Sequence, residues 1–416
     1  MKNSTFVAIS FLGLILLAAS LIWLPRPTPE AVSGAPGSSP TESVKAVSLP
    51  EVTDVQAPVT PNARLQFPEW PKPGLVLVAT GEMRGYFEPC GCTGNQLGGM
   101  SRRAGLFEKI ASLGWEVRGV DVGELSRRTG PQAQLKFETT LEALRELKYV
   151  GLAMSPEELK LEPGYLLSQH LTDGDVSLAF LGANLIFFGS KELGTPLPFT
   201  IIEVGSVKVG ITSVMSDTIR REVIPDRSGD EVATADLQWT DPDKALAEVM
   251  KQFDDDSVKF RVLLSQSTVE ESREFAKRYP AFDLIITANG FGEGELNPEM
   301  IGPVRLLQIG EKGKMAGVIG LYPDDVANPV RFELVKLSAD QFSDSQRMTE
   351  LMQSYQDRLK DGQIVTADGA VGHPSGASFV GATKCGECHT KAFAIWEKTP
   401  HAHAFESLDP SHQRKG

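Results

Sequence analysis

Leu75-Val76-Leu77-Val78-Ala79, then Leu97-Gly98-Gly99-Met100-Ser101-Arg102-Arg103, then Asp121-Val122-Gly123-Glu124: the order of these three stretches decides the fold. The first is a short apolar run between Gly74 and Gly81, the mark of a buried strand. After the second, Leu106, Ile110 and Leu113 recur at helical spacing, which predicts a helix over 102–113. Val117–Val122 is apolar again and leads into the third. Strand, loop, helix, strand is a unit of layered α/β packing.

The same alternation runs outward. Leu135, Thr139, Leu144 and Leu147 share one helical face. Further strands are predicted at 177–181, 199–204, 207–214, 260–264, 284–287, 305–309, 314–321 and 330–336, with helices over 243–253 and 270–279. Phe342, Met348, Leu351, Met352, Tyr355 and Leu359 make 340–360 amphipathic, suited to docking on the domain or bridging to the carboxyl-terminal segment. Residues 362–378 read as a loose Gly/Ala linker, and no internal repeat is found. Hydrophobic content of 41% and charged content of 23% fit a globular protein, so length allows one large domain or two ordinary ones. The net charge of −13 argues against nucleic acid as a partner, which needs clustered cations.

At the amino end, residues 5–24 carry no charge and are almost wholly apolar. Such a helix spans about 30 Å, a bilayer core. Residues 1–26 therefore read as a transmembrane anchor, with a cleaved signal ending near Ala18-Ala19-Ser20 as the rival. Either way the rest of the chain is exported. Residues 27–73 form a Pro-rich tether: 11 of the 27 prolines fall between Pro25 and Pro73.

The carboxyl end carries Cys385-Gly386-Glu387-Cys388-His389, the attachment pattern of a c-type haem. Two thiols on one helical turn can each add to a vinyl group, and the adjacent imidazole can ligate the iron. A zinc site would need four ligands, and the other cysteines, Cys90 and Cys92, lie far upstream. A thioredoxin-type pair would open a longer βα unit than the remaining chain allows. Of six histidines, four (His389, His401, His403 and His412) fall in the last 28 residues. His389 is thus the candidate proximal ligand and His401 or His403 the distal one, closing both axial positions. The competing reading places one of the latter two beside a propionate. Attachment of such a group takes place outside the cytoplasmic membrane in bacteria. The expected location is the cytoplasmic membrane with the main part on the periplasmic side, and the expected partners are redox proteins.

Cys90-Gly91-Cys92 has three open readings: a strained disulfide, a pair of soft metal ligands, or free or haem-adjacent thiols.

Gly381-Ala382, the Cys385–His389 motif, Trp396, and Thr399 with His401, Ala402 and Ala404 together resemble the first haem segment of the multihaem cytochrome c-552/4 family. The resemblance covers 379–416 and implies covalent haem c bound by Cys385, Cys388, His389 and His401 or His403, with electron transfer as the activity. Family members carry further haem motifs; none is found before Gly416, so the carboxyl end is expected to be truncated.

Over 74–337 the element order, Leu97–Arg103, Asp121–Glu124, Ala183-Asn184-Leu185 and Val262–Ser265 resemble the calcineurin-like metallophosphoesterases of the 5′-nucleotidase type. That resemblance implies an αββα sandwich over 74–338, with a helix and linker over 339–378 and a small haem segment over 379–416. It also implies a two-metal hydrolytic centre built on Asp, His and Asn. Those ligands are replaced here by Glu82-Met83-Arg84, Glu124, Gly151–Ser155, Ser265-Gln266 and Ala288-Asn289-Gly290-Phe291. Arg84 would stand where a cation should sit. No catalytic residue is assigned, and the expected role is a scaffold. A metal-dependent phosphoesterase and a binding module for a redox or envelope partner are the competing functions.

Overall fold

The computed structural model describes residues 64–91, 96–171, 178–193, 196–223, 236–290, 292–362, 364 and 380–407. The expected anchor over 1–26, the tether up to residue 63, Cys92, Phe291 and His412 lie outside them. No helix among the described residues is long and apolar enough to cross a membrane.

Strand β1 (Leu75–Thr80) is the hub of the first sheet. It runs parallel to β2 (Val117–Asp121), which continues through β3 (Tyr149–Ala153) to β4 (Ala179–Leu181). On its other side it meets β13 (Met315–Leu321) antiparallel, and β13 carries β14 (Val330–Lys336). A second sheet runs β11 (Glu299–Ile301), β12 (Val304–Gln308), β10 (Leu284–Thr287), β9 (Phe260–Gln266), β7 (Val207–Met215), β6 (Phe199–Val204). The short pair β5 (Leu185–Phe187) and β8 (Leu237–Trp239) stands apart.

Side-chain alternation along β1 explains the layering. Leu75, Leu77 and Ala79 join Val209, Ile211, Val262, Leu264 and Ile286 in the core between the two sheets. Val76 and Val78 point the other way, into a core shared with α1 (Met100–Ser112) and α2 (Pro131–Glu146). The outer face of the second sheet is covered by α6 (Pro242–Asp255) and α7 (Val269–Arg278), through Val249, Phe253 and Phe275. The layers are therefore helix, sheet, sheet, helix, an α/β sandwich with an apolar middle.

Helix α8 (Gln346–Asp361) lies on the outer layer. Its Met348 and Leu351 enter the core of α1 and α2, and Tyr355 and Leu359 pack with Leu135. Arg347 pairs with Glu142 and Glu146, and Arg358 with Glu138, all on α2. Of the two roles its amphipathic pattern offered, docking is the one seen.

Short elements escaped periodicity. Strands β5, β8 and β11 have three residues each, too few to show a period of two. Helix α3 (Pro156–Leu159) has four residues and is set by a capping box between Ser155 and Glu158. Helices α4 (Pro163–Leu171) and α5 (Asp217–Val223) complete the set before α6. Beyond α8 come α9 (Ala382–Gly386) and α10 (Thr390–Trp396), then a 3-10 segment over Pro400–Ser407.

Candidate functional site

The strands β1, β2, β3, β9 and β10 all end on one rim of the sandwich, where parallel sheets usually place their chemistry. Four non-glycine residues on the loops there adopt left-handed backbone: Glu82 (φ 47), Arg84 (φ 53), Glu124 (φ 58) and Asn289 (φ 57). Each such residue costs about 1–2 kcal/mol, and such strain clusters at functional sites. The turns lock together through the main chain: Glu82 N donates to Gly123 O at 2.7 Å and Arg84 N to Glu124 O at 2.7 Å. Gly123 itself (φ 94) leaves no room for a side chain, because a Cβ would lie 2.6 Å from Ala153 O.

This backbone aims Arg84 at three carboxylates. Its Nε donates to Glu124 Oε2 at 2.8 Å, its Nη2 to Glu82 Oε1 at 3.0 Å, and its Nη1 to Glu311. Lys312 Nζ adds a second cation 3.3 Å from Glu311 Oε1. Burial is the largest single effect and works against the Arg84 charge, but Glu124, Glu82 and Glu311 together outweigh it. The guanidinium is therefore held above its ordinary range. Glu82 is the deepest of the three acids, 4% exposed. Desolvation raises it to about 7, with Glu124 adding repulsion and Arg84 opposing.

A further carboxylate holds the rim from behind. Glu158 is fully buried and accepts from Glu124 N at 3.0 Å, Leu125 N at 2.8 Å and the Ser155 hydroxyl. Desolvation raises it to about 7 despite those bonds. Gln266 donates to Val122 O. Behind β2, Asp121 is completely buried and takes bonds from Thr80 Oγ1 (2.6 Å) and Gly123 N (2.9 Å), with Arg103 Nη1 at 3.6 Å.

Of the positions singled out by sequence, Glu82, Arg84 and Glu124 meet, and Gln266 borders them. Ser265 does not; its hydroxyl pairs with Ser272 on α7 at 2.9 Å. Asn289 reaches Ser267 O at 3.3 Å. Sequence reasoning missed Glu311 and Glu158. The Ser155-x-x-Glu158 capping box was a legible signal for the second. Nothing in the Gly310-Glu311-Lys312-Gly313 turn marks the first. Among the described residues, no group of three or more His, Cys, Asp or Glu side chains is arranged to hold a metal ion.

The carboxyl segment differs in kind. None of residues 380–404 is buried, nor is Glu406. Cys385 lies on α9 and Cys388 just beyond it; both thiols are exposed. His389 N donates to Cys385 O at 2.9 Å, continuing the turn, and His389 caps α10. Val380 (65% exposed), Ile395 (71%) and Trp396 (39%) leave apolar surface in water beside these donors. Phe393 packs against Trp396 with ring centroids 5.5 Å apart. Two accessible thiols, an accessible imidazole and uncovered apolar side chains fit a haem. The two further histidines are not equivalent. His403 Nε2 is 2.9 Å from Glu397 O and its Nδ1 is 3.3 Å from Glu406 Oε2, which together raise its pKa. The His401 ring has no hydrogen-bond partner among the described residues. Cys90 sits in a bridge with Leu97, exchanging main-chain bonds at 2.9 and 3.2 Å; its pairing with Cys92 falls outside the described residues.

Residues 384–416 match the family model of cytochrome c554 and c-prime. No curated protein matches the chain. The sandwich is similar to a 5′-nucleotidase precursor from Thermus thermophilus (18% identity, TM-score 0.57), covering 68% of this chain and 59% of that one. It is similar to the sulfate thiohydrolase SoxB of Thermus thermophilus (15% identity, TM-score 0.56), covering 70% of this chain and 62% of that one. The calcineurin-like phosphoesterase YfkN from Bacillus subtilis aligns at 14% identity and TM-score 0.51, over 68% of this chain and 97% of that one. The chain thus spans about three-fifths of the first two proteins. The central α/β sandwich resembles the calcineurin-like phosphoesterases, and the carboxyl segment matches a cytochrome c family model.

Proposed function

We propose that this chain is an exported, membrane-tethered c-type cytochrome that passes electrons, with its phosphoesterase-like sandwich as a non-hydrolytic scaffold. The observation that carries it is the exposed Cys385-x-x-Cys388-His389 turn amid uncovered apolar side chains. Covalently attached haem c supplies a one-electron iron couple. Cys385 and Cys388 would hold it through thioether bonds, and His389 would ligate the iron. His401 is the better second ligand candidate, because the ring nitrogens of His403 are engaged by Glu397 and Glu406. The exposed Ile395 and Trp396 would offer the group apolar contact.

The scaffold role rests on Arg84. Hydrolysis by two metals needs cations that bind water and substrate in an open position. A guanidinium shared among Glu82, Glu124 and Glu311 satisfies those carboxylates and offers no such position. The haem reading and the apolar stretch 5–24 support a periplasmic setting. Producing the chain with the haem-attachment machinery and recording a pyridine haemochrome spectrum tests the proposal. A haem c spectrum, with no manganese-dependent turnover of aryl phosphate, is expected. Absence of covalent haem, or turnover lost in Glu124→Ala, contradicts it.

A further inference from the structure

We propose that the cavity between the loop after β1 and the amino end of α2 binds a small, multiply charged oxyanion. It has a volume of about 470 Å³, within the range of small-molecule sites. Arg127, Arg128 and Lys136 line it and no carboxylate does, although the chain as a whole carries −13. Arg84 forms part of the wall, but its guanidinium is already taken by three glutamates. The other three cations make no ion pair among the described residues.

Lys136 is half-buried yet meets only neutral groups, Gly85 O at 3.3 Å and the Tyr355 ring at 5.5 Å. Its pKa is lowered by burial and then by Arg128, so like charges are held close without a counter-ion. The end of α2 points the same way. The helix starts at Pro131, and its first main-chain bond is Gln134 N to Gly130 O. Gln132 and Ala133, which line the cavity, precede any intrahelical acceptor, so the positive end of the helix dipole faces it. Ser126 Oγ fixes the loop by donating to Arg128 O at 3.2 Å. Guanidinium forks grip sulfate, phosphate and carboxylate alike, so the shared chemistry is an oxyanion of two or more charges. The cavity is larger than a bare tetrahedral ion requires and has Tyr86 on its wall, which leaves room for a short carbon skeleton.

The site is independent of the haem proposal, and its test can fail without touching it. Calorimetric titration of the full chain at low ionic strength, with sulfate, phosphate and citrate as probes and chloride as control, reads it directly. Saturable binding of at least one probe, weakened by added salt, is expected. Tighter citrate than sulfate assigns a polycarboxylate; equal or weaker citrate assigns an inorganic ion. Arg128→Gln with Lys136→Gln should weaken binding at least tenfold, since it removes two charge-assisted hydrogen-bond donors. Arg127→Gln with Arg128→Gln, both at exposed positions, repeats the test without disturbing packing. No saturable binding of any probe, or binding unchanged in both double variants at an unchanged melting temperature, overturns it.

Discussion

The strand-end rim and the carboxyl segment both gather polar groups suited to metal chemistry, and they treat them oppositely. At the rim, Glu82, Glu124 and Glu311 are each hydrogen-bonded to Arg84. In the carboxyl segment, Cys385, Cys388, Ile395 and Trp396 stand in water. A rim that supplies its own cation is complete as folded. A segment that leaves thiols and apolar side chains exposed is, on the proposed function, completed by a bound group. Fold similarity therefore speaks for the first region and the local motif for the second.

The sharpest way to break this contrast is to remove the thiols. Cys385→Ala with Cys388→Ala should abolish covalent haem on a stained gel, while the sandwich melts within about 0.5 kcal/mol of its original stability. A large loss of stability would show that the segment is part of the core.

Next in size is Arg84→Ala. It leaves three carboxylates facing one another and should cost about 2–3 kcal/mol in urea unfolding, under the figure for a fully buried pair because Arg84 is part-exposed. Manganese should then recover part of the melting temperature, by entering the space the guanidinium held. A variant that neither destabilises nor responds to the metal would remove the basis of the scaffold reading.

A smaller effect is expected with pH. Glu82 and Glu158 have folded pKa values raised from 4.5 to about 7. Between those values the native state binds more protons than the unfolded one, so stability falls as pH rises from about 4.5 to 7 and levels off above. Glu82→Gln should flatten part of that slope in urea midpoints taken at pH 5 and pH 7.5. An unchanged slope would mean that Glu82 is ionised throughout. The smallest effect is Arg347→Ala, which removes exposed pairs with Glu142 and Glu146 and should leave the urea midpoint almost unchanged.

Much of the sandwich was legible in sequence because its strands are buried on both faces. Runs such as Leu75–Ala79 and Val262–Leu264 are apolar at every position, and the long helices between them keep a clean period. Three-residue strands such as β5 and β8 carry no period to read. At the rim, substitution of the expected ligands pointed to Glu82, Arg84 and Glu124, because each stands at the end of a recognisable strand. Glu311 was not foreseen: it joins through a turn after β12, and only folding brings it to Arg84. The cavity cations were missed for a similar reason. Arg127-Arg128 reads as an ordinary surface pair until the start of α2 is placed beside it. The haem motif needed no folding to be seen, since its spacing is local to one turn.

Intact mass spectrometry of the exported chain, made with haem-attachment machinery and treated with a thiol-alkylating reagent, tests the central claim most directly. The account predicts the mass of the chain plus one haem, with Cys385 and Cys388 resistant to alkylation. A chain without added haem mass, in which both of these cysteines are alkylated, would contradict it.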